Sequence, residues 1–289
     1  MGNLAIGVGQ GAAIALATVG FTLLWKVSGV VNLSLGAYFL GGGLLSWLFD
    51  SNFDLPLLSA VSLAVTVCVL LAYLLQAKVI TVLTQRPIFY NIVLTYALGL
   101  GMTGLLGIFL TSDYRSIPVA LGTTYLVQDG FDLSLVTPAT VSISLLVTLI
   151  IVLLSERTSF GLVVRAVSSD KVLATISGIN SARVVAITSA IAAFLAAAGG
   201  ALYAVSSPIS SSSYDQMTLY IAASAIVGGL GSLWRGYFVT MMFVTLGSLL
   251  ELLVPSGVID VVVLAVMVVV LSVRFDFIPR VSSRGSTTR

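Results

Sequence analysis

Uncharged polar residues interrupt two long apolar stretches of this sequence. Asn32 and Ser34 lie in the second stretch, and Tyr38 follows Ser34 by four residues, a spacing that places two side chains on one face of a helix. Asn91 and Thr95 repeat this spacing in the fourth stretch. Amide and hydroxyl groups in such positions can bind a polar solute, or can form hydrogen bonds between the helices of an apolar bundle. The residue types leave both interpretations open.

Side chains that usually carry out catalysis are scarce. The 289 residues include no histidine and a single cysteine, Cys68, so neither a metal site nor a histidine-based catalytic triad is expected. No lysine lies in a G-x-x-x-x-G-K-[ST] sequence, the phosphate-binding loop of many ATPases. We therefore predict no enzyme activity and no cofactor. The net charge of +2 is too small to indicate nucleic acid as a partner.

A charged segment separates two of the apolar stretches, at residues 155–184. Ser169 and Asp170 are suited to begin a helix, because a hydroxyl or a carboxylate can accept a hydrogen bond from a first-turn N–H group. Gly178 is suited to end the helix, since glycine adopts the left-handed conformation at little cost. The apolar residues of this helix are Val172, Leu173 and Ile176. They predict one apolar face, which lies on the membrane surface, on the protein itself or on a partner.

The composition indicates what must position these residues. Hydrophobic residues make up 58% of the sequence and its mean hydropathy is +1.13, which indicates an integral membrane protein. A helix needs about 20 apolar residues to cross the hydrocarbon core. Candidate runs occur at residues 4–25, 28–48, 56–77, 91–111, 136–154, 185–205, 218–233, 236–254 and 258–273. Glycines near 226–236 could instead form one broken or re-entrant element. We predict an all-α integral membrane protein, with a polytopic bundle of eight to nine spans in residues 1–273 and a basic tail at 274–289.

Positive charge predicts the orientation, because cytoplasmic loops carry most lysine and arginine residues. If all the runs cross, every one of the 13 Lys and Arg residues except Arg115 falls on the side of the C-terminal tail. We therefore predict an outside N-terminus, a cytoplasmic C-terminus and a cytoplasmic segment 155–184. Charged residues avoid the span centres, with Glu251 and Asp260 nearest to them, which disfavours a proton-coupled carrier. A sodium-coupled carrier stays open.

Four stretches resemble, in the same order, the LivH-type permeases of branched-chain amino acid ABC importers. They read "VGFTLLWKVSGVVNLSLGAYFLGG", "QRPIFYNIVLTYALGLGMTGLL", "RTSFGLVVRAVSSDKVLATISGINSARVV" and "AIVGGLGSLWRGYF". The resemblance extends from Gly7 to Phe277. The sequence departs from it at residues 32–36, where the family usually has "NFAHG", and also at Lys26 and Trp234. These departures weaken what the resemblance implies about the substrate.

The resemblance implies a permease subunit in the plasma membrane that imports a small polar solute, with branched-chain amino acids as the first expectation. The implied partners are a second homologous permease, two ATP-binding subunits that hydrolyse ATP, an extracytoplasmic solute-binding protein and membrane lipid. Residues expected to couple to the ATP-binding subunits are Arg165, Ser169, Asp170, Lys171, Leu173, Ala174, Ile176 and Gly178, with Leu173 and Ile176 in a groove and Asp170 and Lys171 at its rim. Residues expected to line the solute path are Asn32, Ser34, Tyr38, Asn91 and Thr95. The alternatives are a self-sufficient secondary carrier or channel, and a sugar-type ABC permease.

Overall fold

The computed structural model describes residues 2–83, 86–110, 113–118, 125–128 and 131–250, together with residues 265 and 269. The helices of this part are α1 (Gly2–Ser28), α2 (Leu35–Phe53), α3 (Leu57–Leu71), α4 (Ala77–Leu83), α5 (Ile88–Leu110), α6 (Val136–Arg157), α7 (Ser159–Ser169), α8 (Lys171–Ile176), α9 (Ser181–Ser206), α10 (Tyr214–Gly228) and α11 (Leu233–Leu250). A π-helical segment, Ala72–Gln76, joins α3 to α4, and a 3-10 turn, Ser211–Ser213, precedes α10. Strands β1 (Tyr125–Gln128) and β2 (Phe131–Ser134) form an antiparallel hairpin between α5 and α6. This hairpin was not predicted, and it lies outside all the candidate spans.

Six helices in the described part are long and apolar enough to cross a membrane. They cover Leu4–Ser28, Leu57–Leu75, Ile88–Leu110, Val136–Arg157, Ser181–Ser206 and Leu233–Leu250. Helices α2 and α10 also coincide with predicted runs but are not among the six. At 1.5 Å per residue, α10 is about 22 Å long, shorter than the hydrocarbon core. The prediction of a helical membrane protein is therefore confirmed, whereas the number of eight to nine spans stays a prediction. The last predicted run, 258–273, and the tail lie outside the described residues.

Helix α1 lies in the middle of the bundle, where α6, α9 and α11 pack around it. A Cβ atom at Gly20 would lie 2.8 Å from the carbonyl oxygen of Ala192, so α1 and α9 are in close backbone contact. The Thr240 hydroxyl of α11 lies 2.9 Å from the Thr18 hydroxyl, and the Ser144 hydroxyl of α6 donates to a carbonyl oxygen of α1 at 2.6 Å. Small residues and interhelical hydrogen bonds thus join the central helices, as is typical of packing in a membrane.

Helices α2 and α9 approach each other closely through glycines on both sides. A Cβ atom at Gly42 would overlap the carbonyl oxygen of Ala197, and a Cβ atom at Gly200 would overlap the carbonyl oxygen of Phe39. No larger residue fits at either position without moving a helix backbone.

The glycine-rich segment near 226–236 forms a turn between two separate helices. Gly229 and Gly231 have positive φ angles of 92° and 133°, which glycine adopts readily. A Cβ atom at Gly228 would lie 2.7 Å from the Cα atom of Gly236, so the ends of α10 and α11 touch. The segment is therefore a break between two helices, which is compatible with both predicted alternatives, two separate spans and one broken or re-entrant element.

Candidate functional site

The connection between α1 and α2 turns back into the bundle. Residues 29–34 are not helical, although the sequence predicted a continuous span across them. Phe39, one turn into α2, packs against Gly200, and the adjacent Gly199 packs against Ala13 in the middle of α1. Helix α2 therefore begins inside the bundle. An apolar sequence permits this, because non-helical backbone is tolerated at depth where protein surrounds it.

Two side chains from other helices hold this connection. The Thr95 hydroxyl accepts a hydrogen bond from the Leu33 N–H group at 3.2 Å, and it lies 3.1 Å from the Val31 carbonyl and 2.7 Å from the Asn91 carbonyl, either of which can accept its proton. The Tyr214 hydroxyl donates to the Leu33 carbonyl at 3.2 Å. Helices α5 and α10 thus supply the partners that the non-helical backbone needs.

Several polar atoms near the connection are buried. Asn32 uses its Oδ1 atom to accept from the backbone N–H of Ser34 at 3.2 Å and from its hydroxyl at 2.7 Å. The Nδ2 atom of Asn32, the Oδ1 atom of Asn91 and the hydroxyl of Tyr38 have no hydrogen-bond partner among the described residues. Buried polar atoms are nearly always paired, by protein or by another molecule. Asn32 can therefore offer a donor, and Asn91 an acceptor, to a polar molecule.

The structure brings together four of the five residues predicted to line a solute path. Asn32 and Ser34 lie in the connection itself, Thr95 contacts it directly, and Asn91 lies one turn before Thr95 on α5. Tyr38 lies one turn into α2. Ser34, four positions before it, is the N-cap of α2 and is not itself helical. We call Asn32, Ser34, Asn91 and Thr95 the polar cluster. Whether it conducts a solute stays a prediction.

A cavity of about 510 Å³ lies between α5 and the start of α10. Its lining includes Thr103, Ser211, Tyr214 and Asp215. The Tyr96 hydroxyl donates to the Asp215 carboxylate at 2.7 Å. Because Tyr214 also contacts the connection, the cavity adjoins the polar cluster. Sequence reasoning missed these residues, although the polar stretch "SSSYD" before an apolar run was a signal that could have found them.

The charged segment folds into α7, α8 and a turn that leads into α9. The Asp170 carboxylate caps α8 by accepting from the N–H groups of Val172 at 2.8 Å and Leu173 at 3.0 Å. Ser169 is the last residue of α7, so the cap is Asp170 alone. Gly178 follows α8 with a φ angle of 86°, the left-handed conformation that the sequence predicted.

The apolar face of α8 is exposed. Val172, Leu173 and Ile176 are 68%, 61% and 77% exposed, whereas Ala174 is buried against the protein itself. Three large apolar side chains that point away from their own chain form a surface suited to a partner or to membrane lipid. Ala174, which was also expected to couple, lies on the opposite side of this helix.

The side chains of Arg165 and Lys171 hydrogen-bond to backbone carbonyls of other helices in the same chain. The Arg165 guanidinium donates to the Ser155 carbonyl at 2.9 Å, near the end of α6, and the Lys171 ammonium donates to the Ser28 carbonyl at 2.9 Å, at the end of α1. The last carbonyls of a helix lack helical partners and carry partial negative charge, so a cation stabilises them. Partial burial lowers the pKa of Lys171 below its ordinary value, because the charged form loses hydration. The Lys171 ammonium therefore points toward Ser28, and the expected place of Lys171 at the rim of a docking groove stays a prediction.

Comparison with known proteins gives one family match. The family described as "Branched-chain amino acid transport system / permease component" matches residues 3–271. Among solved structures, "PsaBC from Streptococcus pneumoniae in complex with Fab" is similar at a TM-score of 0.48 and 14% sequence identity, over 92% of this chain and 89% of that chain. No curated protein matches the sequence.

Proposed function

The chain belongs to the family of branched-chain amino acid transport system permease components, and from this premise we propose that it forms the solute path of an ABC importer. It is a multi-pass membrane protein and a permease of ABC-type transport. The narrower LivH type is part of the proposal, as are the importing direction and the nature of the solute.

The polar cluster supports a solute path through the chain. It lies where a helix is interrupted inside an apolar bundle, and interrupted helices of this kind form the binding sites of many transporters. Asn32 and Asn91 are only 1% and 3% exposed, yet each has a side-chain atom without a partner among the described residues. A polar solute that passes could hydrogen-bond to these atoms. The adjoining cavity at Tyr214 would give access to the cluster from the side opposite α8.

The observation that carries the proposal of an ABC importer is the exposed apolar face of α8. A self-sufficient carrier or channel needs no such surface, whereas a permease driven by separate ATP-binding subunits needs a rigid element to dock on them. The Thr175 hydroxyl of α8 lies 2.9 Å from the Ser181 hydroxyl at the start of α9, so motion of a docked partner would reach the spans. We propose that Val172, Leu173 and Ile176 form this docking face.

The remaining parts of the proposal concern partners and orientation. A second homologous permease, two ATP-binding subunits and an extracytoplasmic solute-binding protein would complete the transporter. ATP hydrolysis would take place in the ATP-binding subunits and not in this chain. The N-terminus would lie outside and the C-terminus in the cytoplasm, on the side of α7 and α8. The solute would be a small polar molecule, with branched-chain amino acids as the first candidates.

The test is to purify a tagged copy of this chain from its native membrane. The wild-type chain is compared with the Leu173→Asp variant. Burial of a leucine side chain contributes about 1.5–3 kcal/mol, and 1.4 kcal/mol corresponds to a factor of about ten in affinity. We expect ATP-binding subunits to copurify with the wild-type chain, and Leu173→Asp to weaken their association about tenfold or more. Leu173→Met, which keeps an apolar side chain of similar volume, is the matched control.

Two results would contradict the proposal. A wild-type chain that purifies without an ATP-binding subunit and still transports would be a self-sufficient carrier or channel. Association that is unchanged in Leu173→Asp would show that the exposed face of α8 lies on the membrane surface instead.

A further inference from the structure

One hydrogen bond joins α8 to the end of α1 across the charged segment. The Lys171 ammonium donates to the Ser28 carbonyl at 2.9 Å, although 143 positions separate the two residues. A pocket of about 650 Å³ lies between the two elements, lined on one side by residues near the end of α1 and on the other by residues of α7 and α8. Lys171 thus bridges two elements with a pocket between them.

Ser28 is the last residue of α1 and directly precedes the connection, residues 29–34, that leads into the bundle. Its hydroxyl accepts from the N–H group of Val30 at 3.1 Å, and Gly29 between them has a φ angle of 68°. The Val31 carbonyl then lies 3.1 Å from the Thr95 hydroxyl of the polar cluster. The backbone between the Lys171 bond and the polar cluster is therefore only a few residues long. Hydrogen bonds fix it at both ends.

Helix α8 is itself tied firmly to α9. The Thr175 hydroxyl donates to the Lys171 carbonyl at 2.7 Å and lies 2.9 Å from the Ser181 hydroxyl at the start of α9. Across the turn, the Ile179 N–H group donates to the Ala174 carbonyl at 3.0 Å. If α8 is displaced, it therefore moves together with the start of α9. The displacement also acts on any other group that is hydrogen-bonded to α8.

We infer that Lys171 is a positioning residue that transmits movement of α8 to the α1–α2 connection and so to the polar cluster. The inference rests on the proposed function, because it requires a partner that moves α8. It assigns the lysine a role inside the chain, separate from the docking face of Val172, Leu173 and Ile176. The Lys171–Ser28 hydrogen bond, the short α1–α2 connection and the polar cluster directly follow one another in the described residues.

The experiment measures the α1–α2 connection itself. The complex is isolated through a tagged copy of this chain and is placed in lipid vesicles. Leu33→Cys in a Cys68→Ala background reports on the connection through its rate of reaction with a small thiol reagent, with and without ATP. We expect ATP to change this rate in the otherwise unchanged chain. Lys171→Met should reduce the ATP-dependent change about tenfold or more, since a hydrogen bond from a charged group contributes at least that factor.

Two further variants separate the bond from the charge. Lys171→Arg keeps a cationic donor and should restore the ATP-dependent change. Lys26→Met removes the same charge from the lining of the same pocket, while the Ser28 carbonyl still accepts from Lys171, so it should leave the change intact. Retention of the ATP-binding subunits is measured for every variant.

Three outcomes would overturn the inference. The first is an unchanged response in Lys171→Met. The second is loss of the ATP-binding subunits in that variant, which would place the lysine in the docking interface. The third concerns the Leu33→Cys complex in which Lys171 is unchanged. If it hydrolyses ATP and transports, yet its cysteine reacts at the same rate with and without ATP, the inference is wrong. A wild-type chain that carries no ATP-binding subunit would contradict the proposed function instead, so the two failures are distinguishable.

Discussion

Replacement of Thr95 by valine removes one hydroxyl from the polar cluster and keeps the branched shape of the side chain. In the native protein this hydroxyl accepts from the Leu33 N–H group at 3.2 Å and lies 3.1 Å from the Val31 carbonyl. Carbonyl groups of α5 that also contact the hydroxyl keep their helical partners. The substitution therefore acts on the α1–α2 connection and leaves α5 intact.

The magnitude follows from the groups that lose a partner. A buried N–H group without a hydrogen bond costs about 1–3 kcal/mol, and the Leu33 N–H group would lose its partner in Thr95→Val. Since 1.4 kcal/mol is a factor of about ten, the native arrangement of the connection should become about 5 to 140 times less favourable. Thr95→Ser keeps the hydroxyl and should retain most of the stabilisation.

Solute uptake by vesicles that contain the complete transporter measures the effect. We expect Thr95→Val to reduce the uptake rate by a factor of about five or more, with normal amounts of assembled complex, and Thr95→Ser to remain close to wild type. Wild-type uptake by Thr95→Val would refute the reasoning, because the connection would then not depend on the hydroxyl. Equal losses in both variants would also contradict it, because Thr95→Ser keeps the hydroxyl and should therefore keep the hydrogen bond to the Leu33 N–H group.

Two other predictions concern orientation and packing. In a Cys68→Ala background, Ser169→Cys should react with a membrane-impermeant thiol reagent only from the cytoplasmic side and Ser212→Cys only from the other side, and the opposite labelling would reverse the proposed orientation. Gly42→Val should destabilise the protein by at least about 1–3 kcal/mol, because its side chain would overlap a carbonyl oxygen of α9. Gly101→Val, at a position with open space around it, is the control, and equal thermal stability of the two variants in detergent would contradict the close packing of α2 on α9.

The class of protein and most of its helices follow from local properties of the sequence. Apolar character and segment length act locally, since a bilayer requires about 20 apolar residues for each helical span. The start and stop of α8 were predictable for the same reason, because Asp170 and Gly178 act on backbone groups within a few positions of themselves. Four stretches in order were also enough to point to the permease family, which the family match over residues 3–271 confirms.

The surroundings of the polar residues, in contrast, depend on how the helices pack against one another. Residues 28–48 are apolar enough for a continuous span, yet the helix begins at Leu35, because Thr95 and Tyr214 from distant segments stabilise the non-helical backbone before it. The direction of Lys171 depends in the same way on Ser28, which is 143 positions away. Periodicity reports which residues share a face of one helix, but it contains no information about which other segment that face meets. Partners across the bundle arise only when the helices pack.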